Sequence, residues 1–150
     1  MTARKVRQPV VFDTNIFVRS FKARAHSSHN RRAVRLCLLE KQLQLILSPE
    51  LMEEYLKIFE SILGFNTDLI AAWQQRFEDD SRTTMVKLGR RFNESRDNDD
   101  NIVLATAFAG RADYLITNDR DLLELPQEFL KTLPFEIVTP QRFFKNRESN

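Results

Sequence analysis

The sequence is poor in residues that many enzyme sites require: it contains three glycines, two histidines and one cysteine. With glycine only at Gly64, Gly89 and Gly110, neither a dinucleotide fingerprint nor a phosphate-binding P-loop can be written. Histidine and cysteine are too few for a typical zinc site, and the single Cys37 can form no intrachain disulfide. We therefore expect a reducing, cytoplasmic location.

Long apolar runs are also missing. Apolar residues make up 42% of the chain, but no stretch approaches the roughly 20 residues that a membrane span needs, so no membrane partner is expected. Asp13 interrupts the apolar stretch after the basic N-terminus, which does not fit a signal peptide. The length of 150 residues predicts one domain over residues 1–150, with 145–150 expected to fray.

Positive charge is concentrated near the start of the chain. Residues 1–39 hold nine lysines and arginines and one acid, Asp13, whereas the remainder holds 14 basic and 20 acidic residues. This asymmetry predicts an electropositive surface, which is either simply solvated or a contact surface for nucleic-acid phosphates. The candidates for phosphate contact are Arg19, Lys22, Arg31, Arg32 and Arg35.

Short apolar runs alternate with segments of helical periodicity. The predicted strands cover residues 9–12, 43–47, 84–88, 114–116 and 135–138. Between them, Asn30, Ser48 and Thr67 are predicted N-caps of helices, and residues 140–144 form a last helical turn. This alternation predicts an α/β fold, a three-layer α/β/α sandwich with a mostly parallel sheet of about five strands.

Four acidic groups are predicted to meet at the carboxyl edge of that sheet. They are Asp13, Asp119, the acids of residues 97–100 and the glutamates of residues 50–54. Two carboxylates about 4 Å apart repel by roughly 4 kcal/mol at an effective dielectric of 20, and a divalent cation removes this cost. Because the ligands are oxygens only, Mg²⁺ or Mn²⁺ is the expected cofactor.

The same acids also have structural interpretations. Those of residues 97–100 and 50–53 can cap helices, and Asp119 and Asp121 can form turns. Asp13 is harder to explain in this way, because a turn seldom requires an acid directly after an apolar strand. Its neighbours Thr14 and Asn15 can hydrogen-bond a carboxylate.

Four motifs resemble those of the PIN-domain family and occur in the family's order. They are VVFDTN at residues 10–15, LSPELMEEY at 47–55, DNDDNIVLA at 97–105 and DYLITND at 113–119. The resemblance implies a metal-dependent endoribonuclease that hydrolyses single-stranded RNA with Mg²⁺ or Mn²⁺.

Carried over residue by residue, the resemblance implies catalytic roles for Asp13, Glu54, Asp100 and Asp119. The metal would be held by Asp13, Asp100 and Asp119, with support from Asn15, Thr117, Asp97 and Asp99, and Glu53 is the alternative to Glu54. The spacing of the acids at 97, 99 and 100 is most similar to bacterial toxin components of toxin–antitoxin systems. That similarity implies a homodimer and a small antitoxin protein as partner.

Three alternatives remain open. A phosphoaspartyl phosphatase needs a second aspartate two residues after the first, where this chain has Asn15. A receiver domain needs a lysine after a late strand, and Lys131 lies in an unsuitable context. A catalytically inactive PIN-like module would bind RNA or protein without cutting, although the full set of acids argues against it.

Overall fold

The structure is a computed structural model that describes residues 7–24, 28–79 and 81–149. Its centre is a parallel sheet of five strands in the order β3-β2-β1-β4-β5. In chain order the strands are β1 (Gln8–Phe12), β2 (Leu43–Leu47), β3 (Thr83–Met85), β4 (Tyr114–Ile116) and β5 (Glu136–Val138).

Helices connect the strands. Within the described residues they are α1 (Thr14–Lys22), α2 (His29–Leu38), α3 (Pro49–Ser61), α4 (Thr67–Phe77), α5 (Asn98–Ala109), α6 (Arg120–Leu123), α7 (Gln127–Leu130) and α8 (Pro140–Glu148). The β1–β2 and β3–β4 connections cross the sheet in opposite directions, so right-handed crossovers place α2 and α5 on opposite faces. The predicted three-layer α/β/α sandwich with a five-stranded parallel sheet is confirmed.

The helix starts follow local side-chain chemistry. Ser48 caps α3 by accepting a hydrogen bond from the backbone N–H of Leu51, and Pro49 occupies the first helical position. Two predicted caps were one or two residues out, because Ser28 rather than Asn30 caps α2 and Asn66 rather than Thr67 caps α4. In both cases the helix begins earlier than the apolar periodicity indicated.

The C-terminal part differs most from expectation. The fraying expected from residue 145 does not occur over most of that tail, because α8 continues to Glu148. Arg147 holds this helix against the sheet by donating hydrogen bonds to the side chains of Gln8 and Gln42.

Two further elements differ from the prediction. Helix α7 has no counterpart among the predicted elements, and β3 covers residues 83–85 rather than 84–88.

Strand order creates a switch point beside β1. The chain passes from β1 through β2 to β3 on one side and then returns to place β4 on the other side. Phe12 of β1 is in register with Ile116 of β4, so Asp13 and Thr117 leave the sheet at the same level. Parallel α/β sheets bind ligands in the crevice at such a switch point.

No helix in the part of the chain that the structure describes is both long enough and apolar enough to cross a lipid bilayer.

The core is built from both helical layers and the sheet, and it includes a cluster of aromatic rings in which Phe17 contacts Tyr55, Phe59 and Phe77. The Tyr55 hydroxyl donates a hydrogen bond to the backbone carbonyl of Phe12, which anchors the end of β1 just before Asp13.

Candidate metal centre

Asp13 is held in a fixed orientation at the end of β1. Its Oδ1 accepts a hydrogen bond from the backbone N–H of Thr14 at 2.8 Å. Its Oδ2 accepts from the Thr117 hydroxyl at 2.7 Å and from the Asn15 amide at 3.1 Å. The side chain is buried, so few positions around the carboxylate remain for other groups. These bonds aim the carboxylate at the crevice between β1 and β4.

Asp100 projects from the first turn of α5 and is 3% exposed. Its Oδ2 accepts a hydrogen bond from the Ser95 hydroxyl at 3.1 Å. Asn101 fastens the same loop, because its side chain donates to the Ser95 carbonyl and accepts from the Ser95 N–H. The capping role suggested for residues 97–100 is performed by Asp97, so capping does not account for the burial of Asp100.

Asp119 completes a group of three carboxylates. Asp13, Asp100 and Asp119 each present an oxygen, and these oxygens lie within 4.8 Å of one another. Asp119 also caps α6 through the N–H of Asp121, so its structural and site roles coincide. An oxygen-only set at this spacing fits a hard divalent cation of the Mg²⁺ or Mn²⁺ type better than zinc.

A recess of about 250 Å³ opens at these carboxylates. Glu54, Asp97 and Asp99 line it beside the three aspartates, whereas Glu53 is exposed on α3. Glu50 lies outside this recess and forms an ion pair with Arg91 at 3.6 Å. The structure therefore brings together all the predicted acids except the Glu50 and Glu53 side chains.

Burial and mutual repulsion raise the pKa values of the clustered acids. The pKa of Asp13 rises to about 6, chiefly because the group is buried, although hydrogen bonds from Thr117 and Thr14 oppose the rise. Burial and the charges of Asp119 and Asp13 raise the pKa of Asp100 to about 7. Burial, and then the charge of Asp99, raises the pKa of Glu54. The site is therefore costly to ionise without a compensating positive charge.

The basic residues predicted to contact phosphates do not line this recess. Arg19, Lys22 and Arg35 are exposed, and Arg31 is half-buried. Arg32 instead lies over the ring of Phe144, with its guanidinium carbon 4.0 Å from the ring centroid, and it pairs with Glu148 at 3.9 Å. Arg32 therefore contributes to the contact between α2 and α8.

Three site residues were missed by the sequence analysis. The Asn118 side chain donates to Oδ1 of Asn15 at 3.3 Å and to Oδ1 of Asn30 at 2.7 Å. Because the Asn15 oxygen accepts from Asn118, its amide nitrogen points to Asp13. Ser95 was the third. Asn118 lies between two predicted residues and could have been suspected, but nothing local indicated Asn30 or Ser95.

Two comparisons bear on identity. Among curated proteins, no sequence is significantly similar to this chain. The family model of the PIN domain matches residues 9–121, which is about three quarters of the 150-residue chain and contains every member of the carboxylate cluster. PIN domains are typically metal-dependent nucleases, and the acidic recess is compatible with that chemistry. The chain belongs to the PIN domain family.

Proposed function

We propose that this protein is an endoribonuclease that hydrolyses phosphodiester bonds of single-stranded RNA with Mg²⁺ or Mn²⁺. The observation that carries the proposal is the group of three carboxylate oxygens within 4.8 Å of one another at the switch point of the sheet. A bound divalent cation would polarise the phosphodiester and stabilise the charge that develops on it. Asp13, Asp100 and Asp119 would hold that cation.

The remaining residues have supporting roles in this proposal. Thr117 and Asn15 keep the Asp13 carboxylate oriented through their hydrogen bonds. Glu54 is the fourth catalytic acid, since it lines the recess from α3 and a carboxylate of raised pKa suits proton transfer. Asp97 and Asp99 lie at the rim of the same recess and would favour a second cation.

The test compares wild type with Asp13→Asn on matched single-stranded RNA, single-stranded DNA and double-stranded RNA. We expect cleavage of the single-stranded RNA that stops with EDTA, returns with Mn²⁺ and is abolished in Asp13→Asn. Asp68→Asn is the control, because Asp68 is an exposed acid in the first turn of α4. Equal cleavage by wild type and Asp13→Asn would identify a contaminating nuclease and remove the support for the proposal.

The same assay separates the alternatives. RNA binding without turnover in any divalent metal would favour an inactive binding module. Phosphorylation of Asp13 by a small phosphodonor would favour a receiver or phosphatase. Lys131 argues against the receiver, because it lies beside Gln8 and Glu136 where strands begin, whereas Asp13 follows the end of β1.

We also propose that the protein is a cytoplasmic toxin, active as a homodimer and inhibited by a small antitoxin protein. The support is the similarity of residues 97–100 to the bacterial toxin subgroup. Expression in a bacterial host is expected to arrest growth, and Asp13→Asn is expected to relieve the arrest. Normal growth of cells that express the wild-type protein would contradict the toxin assignment. A monomer by light scattering would contradict the homodimer.

A further inference from the structure

Two rows of side chains at four-residue spacing run along helix α3, and only one of them belongs to the core. Leu51, Tyr55 and Phe59 follow one another at four-residue spacing and are fully buried. Glu54, Ile58 and Ile62 form a second row at the same spacing, ending at the C-cap of the helix, and all three line the acidic recess. The helix rises 1.5 Å per residue, so Ile58 lies about 6 Å and Ile62 about 12 Å beyond Glu54 along the axis.

The second row stays accessible. Ile62 is 53% exposed, and Ile58 is half-buried. Val18 of α1, also half-buried, lines the same recess. We call Val18, Ile58 and Ile62 the apolar wall. Exposed apolar surface costs free energy in water. None of these three side chains belongs to the buried core or to the partly buried residues packed against it.

The recess is therefore chemically divided. Carboxylates occupy one end and the apolar wall extends from them, while the recess is lined by no lysine or arginine in the described part of the chain. Ligand sites commonly combine an apolar lining with a few polar groups that fix orientation. A ligand that suits this division has a group bound through a cation at one end and an uncharged group with an apolar face at the other.

We propose that the apolar wall is a binding subsite for an unpaired nucleobase, belonging to the nucleotide whose phosphate lies at the carboxylate cluster. The proposal rests on the proposed function, because the cation and the phosphate set where the base must lie. A base inside a duplex has both faces covered by its stacked neighbours, whereas an unpaired base can be splayed out onto a protein surface. The wall would therefore favour single-stranded substrates, and its aliphatic side chains would tolerate any base.

The experiment uses two product-like probes that share a phosphate and a ribose. Cytidine 5′-monophosphate carries a base and ribose 5-phosphate does not. Their dissociation constants are measured by calorimetry in Mn²⁺ for wild type, Ile58→Ser and Ile62→Ser. Leu39→Ser is the matched control, because Leu39 is a 69% exposed apolar residue at the end of α2 and does not line the recess.

We expect wild type and Leu39→Ser to bind the nucleotide roughly tenfold more tightly than ribose 5-phosphate. The reason is that the nucleotide buries an apolar face of its base against the wall, whereas ribose 5-phosphate has no base to bury. Ile58→Ser and Ile62→Ser should bring the ratio toward one without changing the affinity for ribose 5-phosphate. On an RNA substrate, the same variants should raise KM and leave kcat close to the wild-type value.

Several results would overturn this inference. Equal affinities of wild type for the two probes would do so, as would a ratio that neither isoleucine substitution changes. Dissociation of an oligomer by Ile62→Ser would show that a second copy of the chain covers the wall. Failure of Mn²⁺ itself to bind would instead refute the proposed function, so the two failures are distinguishable.

Discussion

The Thr117 hydroxyl donates a 2.7 Å hydrogen bond to Oδ2 of Asp13, which joins residues 104 positions apart in the chain. The register of β1 with β4 creates this contact, because both residues directly follow paired strand positions. The Thr117 oxygen also accepts from the backbone N–H of Asp119. One buried hydroxyl therefore orients the Asp13 carboxylate and also holds the backbone of Asp119.

Thr117→Val should weaken the affinity for Mn²⁺. Valine keeps the shape of threonine but can neither donate to Asp13 nor accept from Asp119. Loss of a hydrogen-bond partner behind a metal ligand typically costs about 10- to 100-fold in metal affinity. Titration of Mn²⁺ followed by electron paramagnetic resonance measures the change.

Thr106→Val is the control for this substitution. Thr106 is equally buried, and its hydroxyl bonds the side chain of Ser48 and the carbonyl of Ile102, away from the carboxylates. It should lower the free energy of unfolding by about 1–2 kcal/mol and leave Mn²⁺ affinity unchanged. If the two variants lose equal Mn²⁺ affinity, Thr117 has no special part in orienting the ligands.

Asn118→Ala should weaken Mn²⁺ binding by up to about 10-fold, the low end for groups that support a metal ligand. Without the Asn118 amide, the oxygen of Asn15 loses its side-chain donor, and the Asn15 nitrogen is less firmly aimed at Asp13. Asn66→Ala is the control, since it removes the N-cap of α4 and should cost about 1 kcal/mol of stability only. Unchanged Mn²⁺ affinity in Asn118→Ala would contradict the positioning role.

The metal-free protein should lose stability as the pH rises from about 4 to 7. Asp13 and Asp100 have pKa values of about 6 and about 7 in the fold, above the ordinary value of 3.8. The folded state therefore binds more protons than the unfolded state in this interval. The stabilising contribution of these two groups is complete below pH 3.8 and is lost as the pH rises to the folded pKa values. For Asp13 alone the loss is on the order of 3 kcal/mol.

Thermal unfolding in EDTA from pH 4.5 to 8 measures this dependence. Mg²⁺ or Mn²⁺ should raise Tm, and the increase should grow with pH because ionised carboxylates bind the cation. Asp13→Asn removes one of the two groups and should flatten the metal-free profile. A Tm that rises across this interval without metal would contradict the raised pKa values.

Charge reversal on α2 should separate arginines that contact RNA from one that supports the fold. Arg31→Glu with Arg35→Glu should lower RNA affinity and reduce the slope of log K against log salt by about 1.4, or about 0.7 for each lost phosphate contact. Arg32→Glu should mainly lower stability, because Arg32 contacts Phe144 and Glu148 of α8.

Arg111→Glu is the control for that series. It makes the same change of two charge units as each single reversal, but just before β4 begins, whereas the carboxylate cluster follows the strand ends. Binding isotherms at several salt concentrations give the slopes. Equal slopes for wild type and the double variant would mean that the basic residues of α2 form a solvated face.

Local chemistry made most of the elements predictable. The apolar run that ends at Asp13, the Ser48–Pro49 helix start and the acids that open α5 each depend on neighbours a few residues away. Their boundaries were less certain, because Ser28 and Asn66 compete with nearby polar residues for the same caps. The end of α8 depended on Arg147 reaching Gln8 and Gln42, which no local pattern indicates.

The sequence by itself determined which residues could form the site, since carboxylates after short strands and at helix starts are local features. Only the tertiary structure decided which of them meet. In the folded chain Glu54 rather than Glu53 lines the recess, and Asn118 hydrogen-bonds Asn30. The side chain of Arg32 contacts α8 instead of the recess. The physical reason is that helix phase, strand order and register set distances between remote side chains, and they are fixed by packing across the whole core.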